Sequence, residues 1–182
     1  MIKSKGVNSH KIPFEGVVRL LREQDLPYLR PILETWIKRM DNGEIIHDEV
    51  EETFKAMGES IIGINRRTYF VAEASDRQVI GVIGITAPDK RLHQYIKTNN
   101  PVELINAFVH PNHRRKGVGK ALVKFIENYA KNKGYTEIIL TSGPRYQFSG
   151  WEAWIKLFGS PIVTAKNYFD RKYPAKVWGK IF

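Results

Sequence analysis

The sequence predicts a single α/β domain, on three observations. Apolar stripes at helical spacing alternate along the chain with short apolar runs of strand length. The 182 residues contain neither an internal repeat nor an interdomain linker, and that length suits one domain with a sizeable core. Past mid-chain, a strand runs through a glycine-containing loop straight into an amphipathic helix.

The elements follow in order. Val17 to Leu21 reads as a first strand. A helix starts near Asp25, a favoured N-cap residue, with Pro27 tolerated in the first turn. Its stripe of Leu29, Ile32, Leu33, Trp36, Ile37 and Met40 runs until Asn42-Gly43 stops it. A second helix, Asp48 to Met57, sets Val50, Phe54 and Met57 on one side. Thr68 to Ala74 and Val79 to Ile85 flank the turn Ser75-Asp76-Arg77-Gln78 as a hairpin. Gly81 and Gly84 in its second strand mark a bulge or a close backbone approach. Lys90 to Asn100 reads as a polar loop.

Val102 to Val109 is the next strand, followed at once by H-P-N-H-R-R-K-G-V-G. Val118, Leu122, Phe125, Ile126 and Tyr129 then form a helical stripe, with Lys120, Lys124, Lys131 and Lys133 toward solvent. Gly134 suits the helix end, and Glu137 to Thr141 is a short apolar strand. The turn S-G-P-R-Y-Q-F-S-G leads to a short helix, Trp151 to Phe158, and the stretch Ile162 to Phe182 holds two more strands.

Composition excludes several chemistries. Without cysteine there are no disulfides, thiolate metal sites or cysteine nucleophiles, a balance that suits the cytosol, and no metal site is expected. No apolar run approaches the ~20 residues of a membrane-spanning helix, so no membrane partner is expected. Residues 1–14 are expected to be a flexible basic leader rather than a signal peptide, because no apolar stretch follows their charges. Residues 15–182 are then the one domain. The net charge of +10 favours phosphate-bearing partners, but its dispersal shows no nucleic-acid recognition helix.

Within that dispersed charge, four basic residues fall where the strand from Val102 opens into a helix. The first turn of a helix leaves backbone N–H groups without partners and carries partial positive charge. Gly117 and Gly119 let a phosphate approach the backbone, and Arg114, Arg115, Lys116 and Lys120 surround it with charge. A diphosphate is the natural guest. A Walker A loop would need glycine at Arg114 and Ser or Thr at Ala121, and both positions fail. A Rossmann fingerprint would need a third glycine.

The pattern Arg-x-x-Gly-x-Gly, filled by Arg114, Gly117 and Gly119, resembles the acetyl-CoA motif of the GCN5-related N-acetyltransferases, the GNAT family. The run A-F-V-H-P-N-H-R-R-K-G-V-G and the order of elements around it are similar as well. The resemblance implies a mixed, mostly antiparallel sheet of six or seven strands flanked by about four helices, with splayed central strands. It implies acetyl-CoA as acyl donor and direct attack by an amine on the thioester. Ala107, Phe108 and Val109 would hydrogen-bond the pantetheine, with the Val109 N–H facing the thioester carbonyl. Arg114, Arg115, Lys116, Gly117, Val118, Gly119 and Lys120 would hold the pyrophosphate.

The attacking amine must be neutral, which calls for a base. Glu103 sits near where some family members carry a glutamate base, and strand alternation puts it on the face of Ile105, Ala107 and Val109. A salt-bridged structural carboxylate is the alternative reading. His110 and His113 flank the cofactor loop and read as surface residues. Many family members protonate the departing thiolate with a tyrosine on the short helix. Here that position holds Trp154 or Ile155, depending on whether Lys156 or Gly159 sets the alignment. Tyr146 and Tyr168 stand as substitutes, and the turn carrying Arg145 and Tyr146 would lie near the cleft. Trp36, Phe54, Phe125, Trp151 and Trp178 read as core or cleft wall.

The resemblance predicts an enzyme that acetylates a primary amine of unidentified structure. A non-catalytic acyl-CoA sensor is the second reading, motivated by the missing tyrosine, and a basic nucleic-acid-binding domain the third. Acids at Asp41, Glu44, Asp48, Glu51 and Glu52 would attract a cationic amine or simply face solvent. Oligomeric state is open, a homodimer included.

Overall fold

The computed structural model describes residues 14–170 and 173–182. The expected basic leader therefore lies outside the described residues, apart from Phe14. Seven strands form one sheet: β1 (Gly16–Leu20), β2 (Thr68–Ala74), β3 (Val79–Thr86), β4 (Pro101–Val109), β5 (Glu137–Ser142), β6 (Val163–Asp170) and β7 (Tyr173–Ile181). Their order is β1-β2-β3-β4-β5-β7-β6, antiparallel throughout except for β4 beside β5. Four helices flank it: α1 (Leu26–Trp36), α2 (His47–Ile61), α3 (Val118–Asn132) and α4 (Gly150–Phe158). This is the mixed sheet, and the helix count, that the sequence predicts.

The core lies on both faces of the sheet. Leu29, Ile32 and Leu33 of α1 and Val50 and Met57 of α2 bury against Val71, Val82 and Phe108 on one face. Val118, Leu122, Ile126 and Ala130 of α3 bury against Ile80, Ile83 and Leu104 on the other. β3 is buried along nearly its whole length, which is why it reads as one continuous apolar run. On the first face, Asp25 is buried at the start of α1. Burial pushes its carboxyl upward, but the Arg19 guanidinium at 2.7 Å and the Arg22 N–H outweigh that and hold it low.

α1 is shorter than its apolar stripe. It ends at Trp36 because Ile37 leaves helical geometry, and a tight hairpin follows in which Arg39 N donates to Glu44 O and Ile46 N to Ile37 O. Ile37 stays buried, whereas Met40 at the hairpin is half exposed. The stripe continued past the helix because a bend can keep an apolar residue on the core side without helical turns.

β4 and β5 run together for only three residue pairs, Pro101–Glu137, Val102–Ile138 and Glu103–Ile139. That end is clamped. The buried Glu137 carboxylate accepts from Lys97 N and Thr98 N at 2.8 and 3.0 Å, Thr136 N donates to Asn100 O, and Asn100 Nδ2 reaches Gly134 O. Beyond Glu103 the two strands separate.

Candidate active site

The gap between β4 and β5 opens into a cleft of about 710 Å³, walled by Trp36, Ala107, Phe108, Thr141, Tyr146 and Trp154 around its middle. Its shape depends on a bulge in β4. Val82 pairs with Phe108 but Gly84 with Ile105, so Asn106 and Ala107 together face the single residue Ile83. Asn106 takes a left-handed conformation (φ 49°), and its side-chain oxygen accepts from the Tyr69 hydroxyl at 2.9 Å. Gly84 makes room for that tyrosine, since a Cβ there would sit 2.5 Å from its ring. The two glycines of β3 thus mark both a bulge and a close approach.

The bulge reverses which residues share a face. Leu104 packs toward α3 and Ile105 toward α1 and α2, but past the bulge Ala107 and Val109 pack toward α3 and Phe108 toward α1. Glu103, one residue before Leu104, therefore shares a face with Ile105 and not with Ala107 or Val109. The alternation expected from the sequence breaks because it assumes one residue per step.

Among the described residues, the outer end of β4 has a partner strand on one side only. His110 N donates to Ile80 O of β3 at 2.8 Å, so alternation turns the N–H and C=O of Val109 away from β3, toward the gap. Trp36 Nε1 donates to that carbonyl at 2.8 Å. The chain then passes a short 3-10 turn, Pro111–His113, and reaches Gly117, left-handed at φ 84°, which opens α3. Arg115 is left-handed too, at φ 59°. The first bond of α3 runs from Ala121 N to Gly117 O, leaving the N–H groups of Val118, Gly119 and Lys120 without an intrahelical partner. A Cβ at Gly119 would meet its nearest neighbour, Val109, at an ordinary 3.8 Å, so packing does not require glycine there. Arg115, Lys116 and Lys120 are exposed around the turn, while the Arg114 guanidinium lies 4.0 Å over the Trp36 ring. This turn offers clustered donors and charge to an anion.

Two stations of titratable groups in the cleft have shifted acidity. Glu103, Asp89, Arg91 and Tyr168 form the first, beside the closed end of the gap. Burial raises the Glu103 carboxyl, only partly countered by the Asp89 N–H that it accepts at 2.9 Å, and the Asp89 charge raises it further. Asp89 itself is held at about 2, chiefly by its hydrogen bond from Arg91. The Tyr168 ring lies 4.4 Å from the Arg91 guanidinium carbon, and burial with the charges of Glu103 and Asp89 pushes its hydroxyl up to about 12. Tyr146 is the second station, its ring 6.1 Å from both Trp36 and Phe108; burial raises its hydroxyl as well.

Trp154 lines the cleft, whereas Ile155 is 47% exposed and is not among the residues that line it. His110 and His113 lie outside the cleft lining, their rings 5.7 Å apart beside the loop.

Of the five acids singled out in the sequence, only Glu52 faces the cleft. Asp41 lines an adjoining groove of about 520 Å³, and Glu51 pairs with Arg30. Glu49 and Glu59 also line the cleft. Helical spacing was the available signal, because Glu49, Glu52, Ala56 and Glu59 recur at i, i+3, i+7 and i+10 on one face of α2. Asn106 was a further omission from the site, whereas Trp36 stands in the cleft wall, one of the two places its sequence reading allowed, with a hydrogen bond that the sequence did not signal. A positive φ at an Asn inside a strand leaves no periodic trace, and an indole N–H bonded across 73 residues leaves none either.

Solved structures share this architecture. A GNAT-family protein from Desulfovibrio desulfuricans superposes with a TM-score of 0.71 at 14% identity, over 91% of this chain and 98% of that one. The PaiA N-acetyltransferase of Thermoplasma acidophilum, solved in complex with coenzyme A, gives 0.64 at 18% identity, over 91% and 98%. Spermidine/spermine N-acetyltransferase SpeG of Vibrio cholerae gives 0.63 at 16% identity, over 92% of each chain. In sequence, human N-acetyltransferase 8 is 36% identical over 76 residues, which are 41% of this chain and 31% of that protein. N-acetyltransferase family 8 member 2 of Rattus norvegicus is 33% identical over 76 residues, 42% of this chain and 31% of that protein. The matched stretch thus spans under a third of either relative. A family model, by contrast, matches residues 29–148, about two thirds of the chain and every element from α1 to the turn holding Tyr146. The chain belongs to the acetyltransferase (GNAT) family.

Proposed function

We propose that this chain is an acetyl-CoA-dependent N-acetyltransferase acting on a primary amine. One observation carries the reading: a gap between β4 and β5 ends on a left-handed glycine turn whose backbone donors and cations suit a diphosphate. The gap accepts an extended chain, and the turn accepts its phosphates. Acetyl-CoA supplies an acetyl thioester. Ala107, Phe108 and Val109 line the course of the pantetheine, with the Val109 N–H as donor to the thioester oxygen. Residues 114–120 take the pyrophosphate.

Glu103 receives the proton of the incoming ammonium by way of a water chain along the cleft, a role suited to a carboxyl that burial has raised. Tyr146 delivers a proton to the departing sulfur. The acceptor is cationic, because the cleft lining carries Glu49, Glu52, Glu59, Asp89 and Glu103 against Arg67 and Arg91, while the whole chain carries +10. We place the reaction in the cytoplasm, in line with the absence of cysteine.

A second reading, an acyl-CoA sensor without turnover, is favoured by Trp154, whose indole stands in the cleft where the family tyrosine is expected and is no acid. Calorimetry with coenzyme A and thiol release from acetyl-CoA over an amine panel separate the two. Binding with turnover supports the enzyme, and binding with silence toward every amine supports the sensor. Absence of binding at low salt overturns both.

A further inference from the structure

We infer that Trp36 is a positioning residue that locks the phosphate turn to the reacting end of β4, an assignment that rests on the acetyl-CoA reading above. Trp36 ends α1, yet its indole contacts groups from three other parts of the chain. Its Nε1–H donates to Val109 O at 2.8 Å. The Arg114 guanidinium carbon lies 4.0 Å over the ring. Phe108 and Tyr146 present their rings at 5.9 and 6.1 Å.

The hydrogen bond answers a specific deficit. β5 has already separated from β4 at Val109, so among the described residues no strand is present to serve the carbonyl that points into the gap. A backbone carbonyl left unpaired at a partly buried strand end is costly. Trp36 supplies the donor that the absent strand cannot, and so fixes the last peptide of β4. The same ring is the platform for Arg114, five residues further along. Strand end and loop start are thereby tied to one rigid side chain. The left-handed residues Arg115 and Gly117 are held in fixed relation to Val109, and the distance from thioester donor to phosphate turn is set by an indole on a different helix.

Two variants separate the two contacts. Trp36→Phe keeps a ring for Arg114 and Tyr146 but removes the N–H, and Trp36→Leu removes both. Trp36→Phe is expected to lower kcat about fivefold with the acetyl-CoA KM changed less than about twofold, the loss of one hydrogen bond at the reacting end. Trp36→Leu is expected to weaken coenzyme A binding by about three- to tenfold in calorimetry, the scale of a lost cation–π contact. Arg114→Ala should then cost less in the Trp36→Leu background than in the wild type, because the contact the two residues share is already gone while the charge toward the phosphates is lost in both. A tryptophan that serves packing alone would shift the unfolding midpoint while leaving kcat and the additivity of the two substitutions unchanged. Wild-type kcat in Trp36→Phe, or fully additive losses in the double variant, overturns the assignment. Wild-type protein that binds no coenzyme A overturns the acetyl-CoA reading itself, and it is measured first.

Discussion

The Arg145 guanidinium reaches the Glu49 carboxylate at 2.7 Å across 96 residues of sequence, joining α2 to the turn between β5 and α4. It stands where the main cleft meets the adjoining groove, since Glu49 lines both. The Tyr146 ring lies 5.8 Å from the same guanidinium. With Glu49 41% exposed, the pair adds little to stability, ~0–1 kcal/mol for pairs of this kind. Arg145→Met should therefore leave the thermal midpoint nearly unchanged, yet raise the acceptor KM several-fold by freeing the cleft mouth. A midpoint drop of many degrees with kinetics intact would mark the pair as structural.

Glu103 gives a pH dependence with a defined sign. Its folded carboxyl lies above its ordinary 4.5, so between the two values the folded chain holds a proton that the unfolded chain has lost. The stabilising effect is complete below 4.5 and fades as pH rises through the folded value. Glu103→Gln has no such titration. Its stability relative to wild type should rise over that window, as followed by urea midpoints at several pH values. As the proposed base, Glu103 also predicts that kcat/KM rises through the same range and that Glu103→Gln flattens this limb. A limb that persists in the variant assigns the base to another group.

Tyr146→Phe keeps the stacking on Trp36 and Phe108 and removes only the hydroxyl. A general acid contributes roughly 10²-fold or more, so kcat should fall by about that much with coenzyme A affinity unchanged. Turnover at the wild-type rate would send the proton from water or the acceptor instead.

Gly117 and Gly119 should respond differently to alanine. At Gly117 the positive φ makes any Cβ strained, at about 1 kcal/mol, and both stability and coenzyme A binding should fall. At Gly119 the added methyl meets only an ordinary contact, so the melt should hold while binding weakens roughly tenfold, as when one charge-assisted hydrogen bond is lost. Equal effects at both sites, measured by calorimetry and thermal melts, would show that the turn binds no phosphate.

Legibility in the sequence followed the range of the interaction. The seven strands, the hairpin of β2 and β3 and the stripe of α3 were readable because period and turn chemistry act over a few residues. The glycine turn that opens α3 was readable for the same reason, being one contiguous stretch. What escaped was set by contacts between distant segments. The Asn106 bulge depends on Tyr69 from a strand two places away in the sheet. It overrode the simple alternation by which Glu103 was placed with Val109. The end of α1 escaped because the 37–46 hairpin keeps Ile37 buried, and burial is all that an apolar stripe reports.

The three-pair junction of β4 and β5 has a consequence for how the molecule can change. It divides the sheet into two covers, one drawn from residues 16–109 and the other from 137–181, hinged on a narrow spine. Apart from that spine, each cover pairs its strands within its own length of chain. The apolar side of α2 packs on the first cover, leaving its acidic face to the cleft, and α4, which bears Trp154, rests on β7 of the second. On the proposed reading, substitutions on one cover can therefore alter which amine is admitted without changing the strand pairing of the other.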